Sequence, residues 1–122
     1  MKENVLKDKS FNFAIGCVKL YKYLAGEQKE FVLSKQILRS GTSIDANIEE
    51  ANSGQSKNDF VAKLSISLKE AKETHYWLRL LYDCDYLNKN MFDSLLIDCN
   101  EIIAFLTRII KTARENKNEV RK

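Results

Sequence analysis

Proline is absent from the 122 residues, and glycine occurs only four times. All-β and loop-rich folds lean on those two residues for their turns, so their scarcity excludes such folds and favours long uninterrupted helices. Histidine occurs once, at His75, and the three cysteines are odd in number, far apart and without a C-x-x-C pair. That spacing excludes both a disulfide framework and a zinc knuckle, and the expected compartment is a reducing cytoplasm. Cys17, Cys84 and Cys99 each sit among apolar residues at helical spacing, where a free cysteine behaves as a small hydrophobe. The start, Met1 to Asp8, mixes Lys2, Glu3, Lys7 and Asp8 with little apolar content and lacks the apolar core of a secretory signal. No membrane association is expected.

What is present is a globular balance, 44% hydrophobic and 30% charged residues, in a length that suits one domain over residues 1–122. Apolar periodicity predicts four helices, over about 10–25, 34–52, 56–83 and 89–116. Ser10 reads as the N-cap of the first and Gly26 as its left-handed stop. Ser34 reads as the cap of the second, whose Ile37, Gly41, Ile44, Ile48 and Ala51 step by fours and threes. Gly41 lies among Ser40, Thr42 and Ser43, where small residues let a neighbouring helix come close. Ser56-Lys57-Asn58-Asp59 has the spacing of a capping box, and Phe60, Leu64, Ser67, Ala71, Thr74, Leu78 and Leu81 stripe the third helix. Asn88 or Asn90 opens the fourth, striped by Phe92, Leu95, Cys99, Ile102, Leu106, Ile109 and Ala113. Helices joined by short turns run antiparallel, so the expected fold is all-α, an antiparallel up-down-up-down four-helix bundle.

The first helix carries two apolar edges, one of Phe11, Ala14, Val18, Tyr21 and Ala25, the other of Phe13, Cys17, Leu20 and Leu24. The fourth adds Leu96, Ile103, Phe105 and Ile110 beside its main stripe. Faces this broad exceed what a small bundle hides, and large exposed apolar patches mark interaction sites. The expectation is a homo-oligomer with Phe13, Cys17, Leu20, Leu24, Leu96, Ile103 and Ile110 at its interface. The alternative is a monomer that buries both helices more deeply.

A polar stripe runs beside the apolar one. Ser43, Asn47 and Glu50 on the second helix and Ser67, Glu70 and Thr74 on the third are expected to meet in a hydrogen-bonded network that fixes register. A metal reading of the same carboxylates fails on ligands. Glu73 and His75 are two apart and share no face, and no E-x-x-H repeat exists. No nucleophile is paired with a base and no glycine-rich phosphate loop occurs, so no enzyme, no cofactor and no metal are expected. Positive charge gathers at the C-terminal end. Arg108, Lys111, Arg114, Lys117, Arg121 and Lys122 face only Glu115 and Glu119, a net of +4 that leaves −1 on the remaining residues of a chain of net charge +3. This segment is the expected contact for RNA or DNA, acting through phosphates without sequence readout. The alternatives are a scaffold whose partner is another protein, with no nucleic-acid role, and, after it, an unrecognised enzyme.

The run Leu33 to Ala51, LSKQILRSGTSIDANIEEA, followed by Asp59-Phe60 and by Lys69 to Leu78, KEAKETHYWL, resembles the four-helix-bundle family of proteins encoded in intervening sequences of bacterial 23S ribosomal RNA genes. That family is similar to an accessory protein of diversity-generating retroelements, a pentameric barrel of four-helix bundles that binds nucleic acid and a reverse transcriptase. The resemblance implies a pentamer. It implies no activity, since the family has no established catalytic residues to transfer onto Arg39, Ser43, Asn47, Glu50, Glu70 or Glu73.

Overall fold

A computed structural model describes residues 2–54 and 56–121, with side chains over 5–54 and 56–116. The described residues form helices α1 (Lys2–Gly26), α2 (Leu33–Asn52), α3 (Lys57–Asp83) and α4 (Lys89–Arg121), with no strand among them. Pairings between helices run in opposite directions along the two helices, which makes each neighbouring pair antiparallel. Ser10 meets Asp45 while Cys17 meets Gly41; Ser40 meets Thr74 while Glu50 meets Lys63; Ala71 meets Cys99 while Tyr82 stacks on Phe92 at 4.2 Å. The bundle closes through α1 and α4, its sparsest seam, where Lys9 reaches Glu101 and Gly16 approaches Leu95. The architecture is the expected up-down-up-down bundle.

The stripes of α2 and α3 lie where periodicity puts them, with Ile37, Gly41, Ile44, Ile48 and Ala51 buried against Leu64, Ser67, Ala71, Thr74, Leu78 and Leu81. On α4 the buried line is Cys99, Ile102, Leu106, Ile110 and Ala113. Two expectations at helix starts are corrected. Ser10 caps nothing: it lies mid-helix and fully buried, and its hydroxyl donates to Asp45 Oδ1 at 2.9 Å. Lys7 and Lys9, which precede the expected start of the first helix, lie within it, point to solvent and pair with Glu49 and Glu101, while Leu6, Ser10 and Phe13 carry the buried stripe toward the N-terminus. Ser34 likewise caps nothing. Glu30 does so from outside α2, accepting the Ser34 N–H at 2.7 Å and the Val32 N–H at 3.2 Å. Partial burial works to raise the Glu30 carboxyl, but the backbone N–H groups of Leu33, Ser34 and Val32 outweigh it and hold the pKa below its ordinary 4.5. Gly26 is not left-handed either; Lys29, at φ 56°, takes that conformation in the connecting loop. Ser56 and Asn88 do cap α3 and α4, accepting from the N–H groups of Asp59 and Met91.

One contact sets the distance between α1 and α2. A Cβ placed on Gly41 would lie 2.3 Å from Cys17 Sγ and 3.0 Å from Cys17 Cβ, so only glycine permits this crossing. Gly41→Ala should therefore destabilise the fold by about 2 kcal/mol or more through overpacking. Adding Cys17→Ala removes the sulfur and should recover part of that loss, the Cβ contact keeping the rest. Urea unfolding of both single variants and the double variant checks this; strictly additive losses would mean that the two positions do not oppose each other.

Candidate functional site

The polar stripe between α2 and α3 does not form one network. Two buried hydroxyls bridge the helices: Ser67 donates to the Ile44 carbonyl at 2.8 Å, and Thr74 bonds to Ser40 Oγ at 2.8 Å. Asn47 turns back on its own helix, donating to the Ser43 carbonyl at 2.8 Å, and Glu50 is exposed and paired with Lys63 at 3.0 Å. Glu70 and Glu73 both lie on Arg39, and Glu73 also accepts from Trp77 Nε1 at 3.1 Å. Ser43, Asn47 and Glu50 therefore do not join Ser67, Glu70 and Thr74, as expected from their heights along the helices. The reason is rotation, because Asn47 and Glu50 sit outside the line of closest approach that Ser40 and Ile44 occupy. The paired carboxylates that result are clamps between helices. Among the described residues no group of three or more His, Cys, Asp or Glu side chains is placed to hold a metal ion.

Cys17 and Cys99 face each other's neighbourhood in the core. Burial, reinforced by Cys99 for Cys17 and by Asp98 for Cys99, pushes each thiol up to about 12, which keeps both protonated and unreactive at neutral pH. Cys84 departs from the expected apolar setting: it is exposed at the C-cap of α3, just past Leu81, where the stripe ends.

The residues expected at an oligomer interface are taken up by the chain's own core. Phe13, Cys17, Leu20, Leu24 and Ile110 are buried in the chain's own core, and Leu96 and Ile103 are half-buried against it. What α1 leaves to solvent is its other edge, Phe11 at 55% exposure, Ile15 at 40% and Val18 at 37%, spaced by four and three along one helix face. Ser10 and Cys17 point that edge outward, since both are drawn to α2. Ile97, at 60%, is the largest exposed apolar side chain on α4. Phe11 and Val18 were visible as an apolar edge; Ile15 completes their spacing.

At the basic end, Arg108, Lys111 and Arg114 are exposed, and none has a carboxylate partner among the described residues. The Arg108 guanidinium lies 5.8 Å from the centre of the Phe105 ring. The side chains of Lys117 and Arg121, and Lys122 altogether, lie outside the described residues. The three described cations line two open clefts on the flanks of α4. One, of about 270 Å³, brings Arg108 together with Lys57 and Phe60 of α3; the other, of about 280 Å³, holds Lys111 and Arg114 beside Leu68. Lys57 carried no signal of this in the sequence, because only the bundle brings the start of α3 alongside the end of α4. No described helix is long and apolar enough to cross a membrane.

The Ser10 to Asp45 bond was equally hidden. Burial is the largest influence on Asp45 and raises its carboxyl above the ordinary 3.8, the Ser10 hydroxyl opposes this, Glu49 adds repulsion and Lys7 attraction. A carboxyl whose pKa is higher folded than unfolded makes stability fall as pH rises from 3.8 through the raised value, with the full cost present above it. Asp45→Asn keeps an acceptor for Ser10 and removes that cost. The variant should melt higher than the parent at pH 7, and the difference should shrink as pH is lowered into the carboxylate range. Thermal melts across pH check the sign; a lower melting temperature at pH 7 would show that the charge is held favourably.

Compared with known proteins, the chain matches the family model described as 23S rRNA-intervening sequence protein over residues 2–108. Among solved structures, it is similar to a protein of unknown function from the S23 ribosomal protein family of Bacteroides thetaiotaomicron VPI-5482, a crystal structure at 1.70 Å resolution. The two are 58% identical over 91% of this chain and 99% of that one, with a TM-score of 0.89. No curated protein matches the chain.

Proposed function

The chain belongs to the 23S rRNA-intervening sequence protein family, and on that footing we propose that it is a non-enzymatic scaffold that self-associates through the outer face of α1 and offers the basic end of α4 to RNA or DNA. The observation that carries the reading is the exposed row of Phe11, Ile15 and Val18, which has no task in the monomer's core. Fully burying an exposed side chain of this kind is worth about 1.5–3 kcal/mol, and each of these has roughly half of that still to gain against a partner surface. A ring needs two different patches per subunit, because each copy meets its neighbours head to tail. The exposed Ile97 on α4 supplies an apolar surface distinct from the α1 row. Five subunits is the size favoured by the family resemblance. Free thiols at Cys17, Cys84 and Cys99 suit a reducing cytoplasm.

Sedimentation equilibrium at micromolar concentration should give a mass several times 14.1 kDa. Phe11→Glu with Ile15→Glu should yield a folded monomer with unchanged circular dichroism, since both side chains are already exposed, whereas Leu24→Glu should unfold the chain by burying an unpaired charge. A parent that sediments as a monomer would remove self-association and turn the α1 row into a surface for a different protein.

The nucleic-acid half of the reading rests on the unpaired cations of α4. Fluorescence anisotropy with labelled RNA and DNA should show affinity falling steeply with salt, by about 0.9 log units per log unit for each duplex phosphate contacted. Truncation after Ile110 should make that slope shallower. An unchanged slope would acquit the C-terminal segment.

A further inference from the structure

The clefts beside α4 differ from an ordinary basic ridge in having apolar walls. In the cleft between α3 and α4, Phe60, Ile109 and Ala113 supply apolar surface, and Lys57 and Arg108 supply positive charge. Thr112 and Asn116 complete the lining with a hydroxyl and an amide, and no lining residue is acidic. Lys57 and Arg108 have no carboxylate partner among the described residues, so their charge is open to a ligand in the cleft. The combination calls for a ligand that is flat and apolar on one part and anionic on another.

We propose that this cleft seats one nucleotide of a single-stranded RNA or DNA, its base against Phe60 and its phosphate between Lys57 and Arg108, so that the basic end of α4 prefers single strands to duplex. The inference rests on the nucleic-acid reading above and narrows its substrate class. A duplex keeps its base faces stacked inside and presents only phosphates and the base edges in its grooves, so a stacking wall adds nothing to its binding. A single strand has unstacked bases, and base stacking on aromatic side chains is the sequence-tolerant device that cationic grooves add for such ligands. The volume of about 270 Å³ lies just under the roughly 300 Å³ at which sites for drug-sized ligands begin, which suits one ring better than a larger ligand. The second cleft, with Lys111 and Arg114 beside Leu68 and Ile110, repeats the pattern on the opposite flank, although Glu115 also lines it. Arg108, Lys111 and Arg114 step by three and so wind from the first cleft toward the second.

The test uses the full chain and three labelled probes of about ten nucleotides, a length within the span of single-strand sites: single-stranded RNA, single-stranded DNA and the matching DNA duplex. Anisotropy titrations at low salt should show the single strands bound more tightly than the duplex. Lys57→Ala alters an exposed residue and should weaken single-strand binding while lowering its salt slope by about 0.7, the share of one single-strand phosphate. Phe60→Leu keeps an apolar side chain against the core, and loss of the stack should weaken single-strand binding roughly 5- to 150-fold while leaving the duplex unchanged. If Phe60→Leu does not fold by circular dichroism, the Lys57→Ala result decides. Duplex bound as tightly as single strands, or single-strand binding that ignores Lys57→Ala, overturns the cleft and leaves the basic segment standing. No binding of any probe overturns the nucleic-acid reading itself, and this inference with it.

Discussion

The approach of Gly41 to Cys17 determines how the other parts of the bundle can be arranged. On α2, Gly41, Asp45 and Glu49 follow one another at intervals of four; on α1 their counterparts are Cys17, Ser10 and Lys7. The three contacts form consecutive rungs of one antiparallel seam: a steric contact, a buried hydrogen bond and a surface ion pair. Only the first demands a particular residue at close range. With the sulfur wedged against the glycine, α1 cannot rotate without either separating from α2 or stranding Asp45. Rotation about the α1 axis is thereby fixed, and with it the choice of which apolar edge goes inside. Phe13, Leu20 and Leu24 enter the core, while Phe11, Ile15 and Val18 are left facing water. The surface proposed for self-association is thus a consequence of a glycine on a different helix.

Between α2 and α3 the same close approach is achieved with small hydroxyl residues. Ser40, Ser67 and Thr74 are fully buried, and each finds a partner across the seam. A satisfied hydrogen bond contributes only about 1 kcal/mol net, but an unsatisfied buried hydroxyl costs about as much again or more. Sliding α3 along α2 would break both bridges at once, so these bonds select one register among several that the apolar stripes alone would tolerate. Arg39, holding Glu70 and Glu73 from the solvent side, repeats the selection with charge. Of the polar residues in the stretches quoted for the family resemblance, Arg39, Glu70 and Glu73 belong to this register lock, whereas Asn47 turns back to the Ser43 carbonyl within α2.

Helices with one apolar stripe were legible in the sequence, and the helix with two was not. For α2 and α3 the three-four spacing has a single solution, and the buried residues coincide with it. For α1 two edges compete with similar apolar content, and the deciding term is a steric contact with Gly41, which lies 24 positions from Cys17 in the chain. The capping residues show the same division. Ser56 and Asn88 cap within their own turns and can be read locally, whereas Glu30 reaches forward over the loop to α2 and leaves the buried Ser34 hydroxyl without a partner among the described residues. The clefts beside α4 belong wholly to the unreadable part, because Lys57 and Phe60 join Arg108 only after α3 and α4 pair antiparallel.

Net charge is a poor guide to what this chain can attract. Over α1 to α3 and the start of α4, Lys7, Lys9, Arg39, Lys63 and Lys89 each lie against a carboxylate. Such exposed pairs add little stability, typically below about 1 kcal/mol, but they flatten the local potential. From Arg108 to Arg114, three cations without a carboxylate partner among the described residues follow one another at intervals of three. At 1.5 Å per residue the three cations span about 9 Å of helix axis, close to the Debye length of about 8 Å at physiological ionic strength. They therefore act on an approaching phosphate as one cluster, while charges on the far side of the bundle are screened. Symmetry would multiply the cluster in an assembly, since each subunit brings its own copy of the same end. The family match stops at Arg108, the first member of this cluster. The shared bundle accordingly fixes where the charge is held, by pairing α3 with α4, and the residues that follow the match set how strong it is.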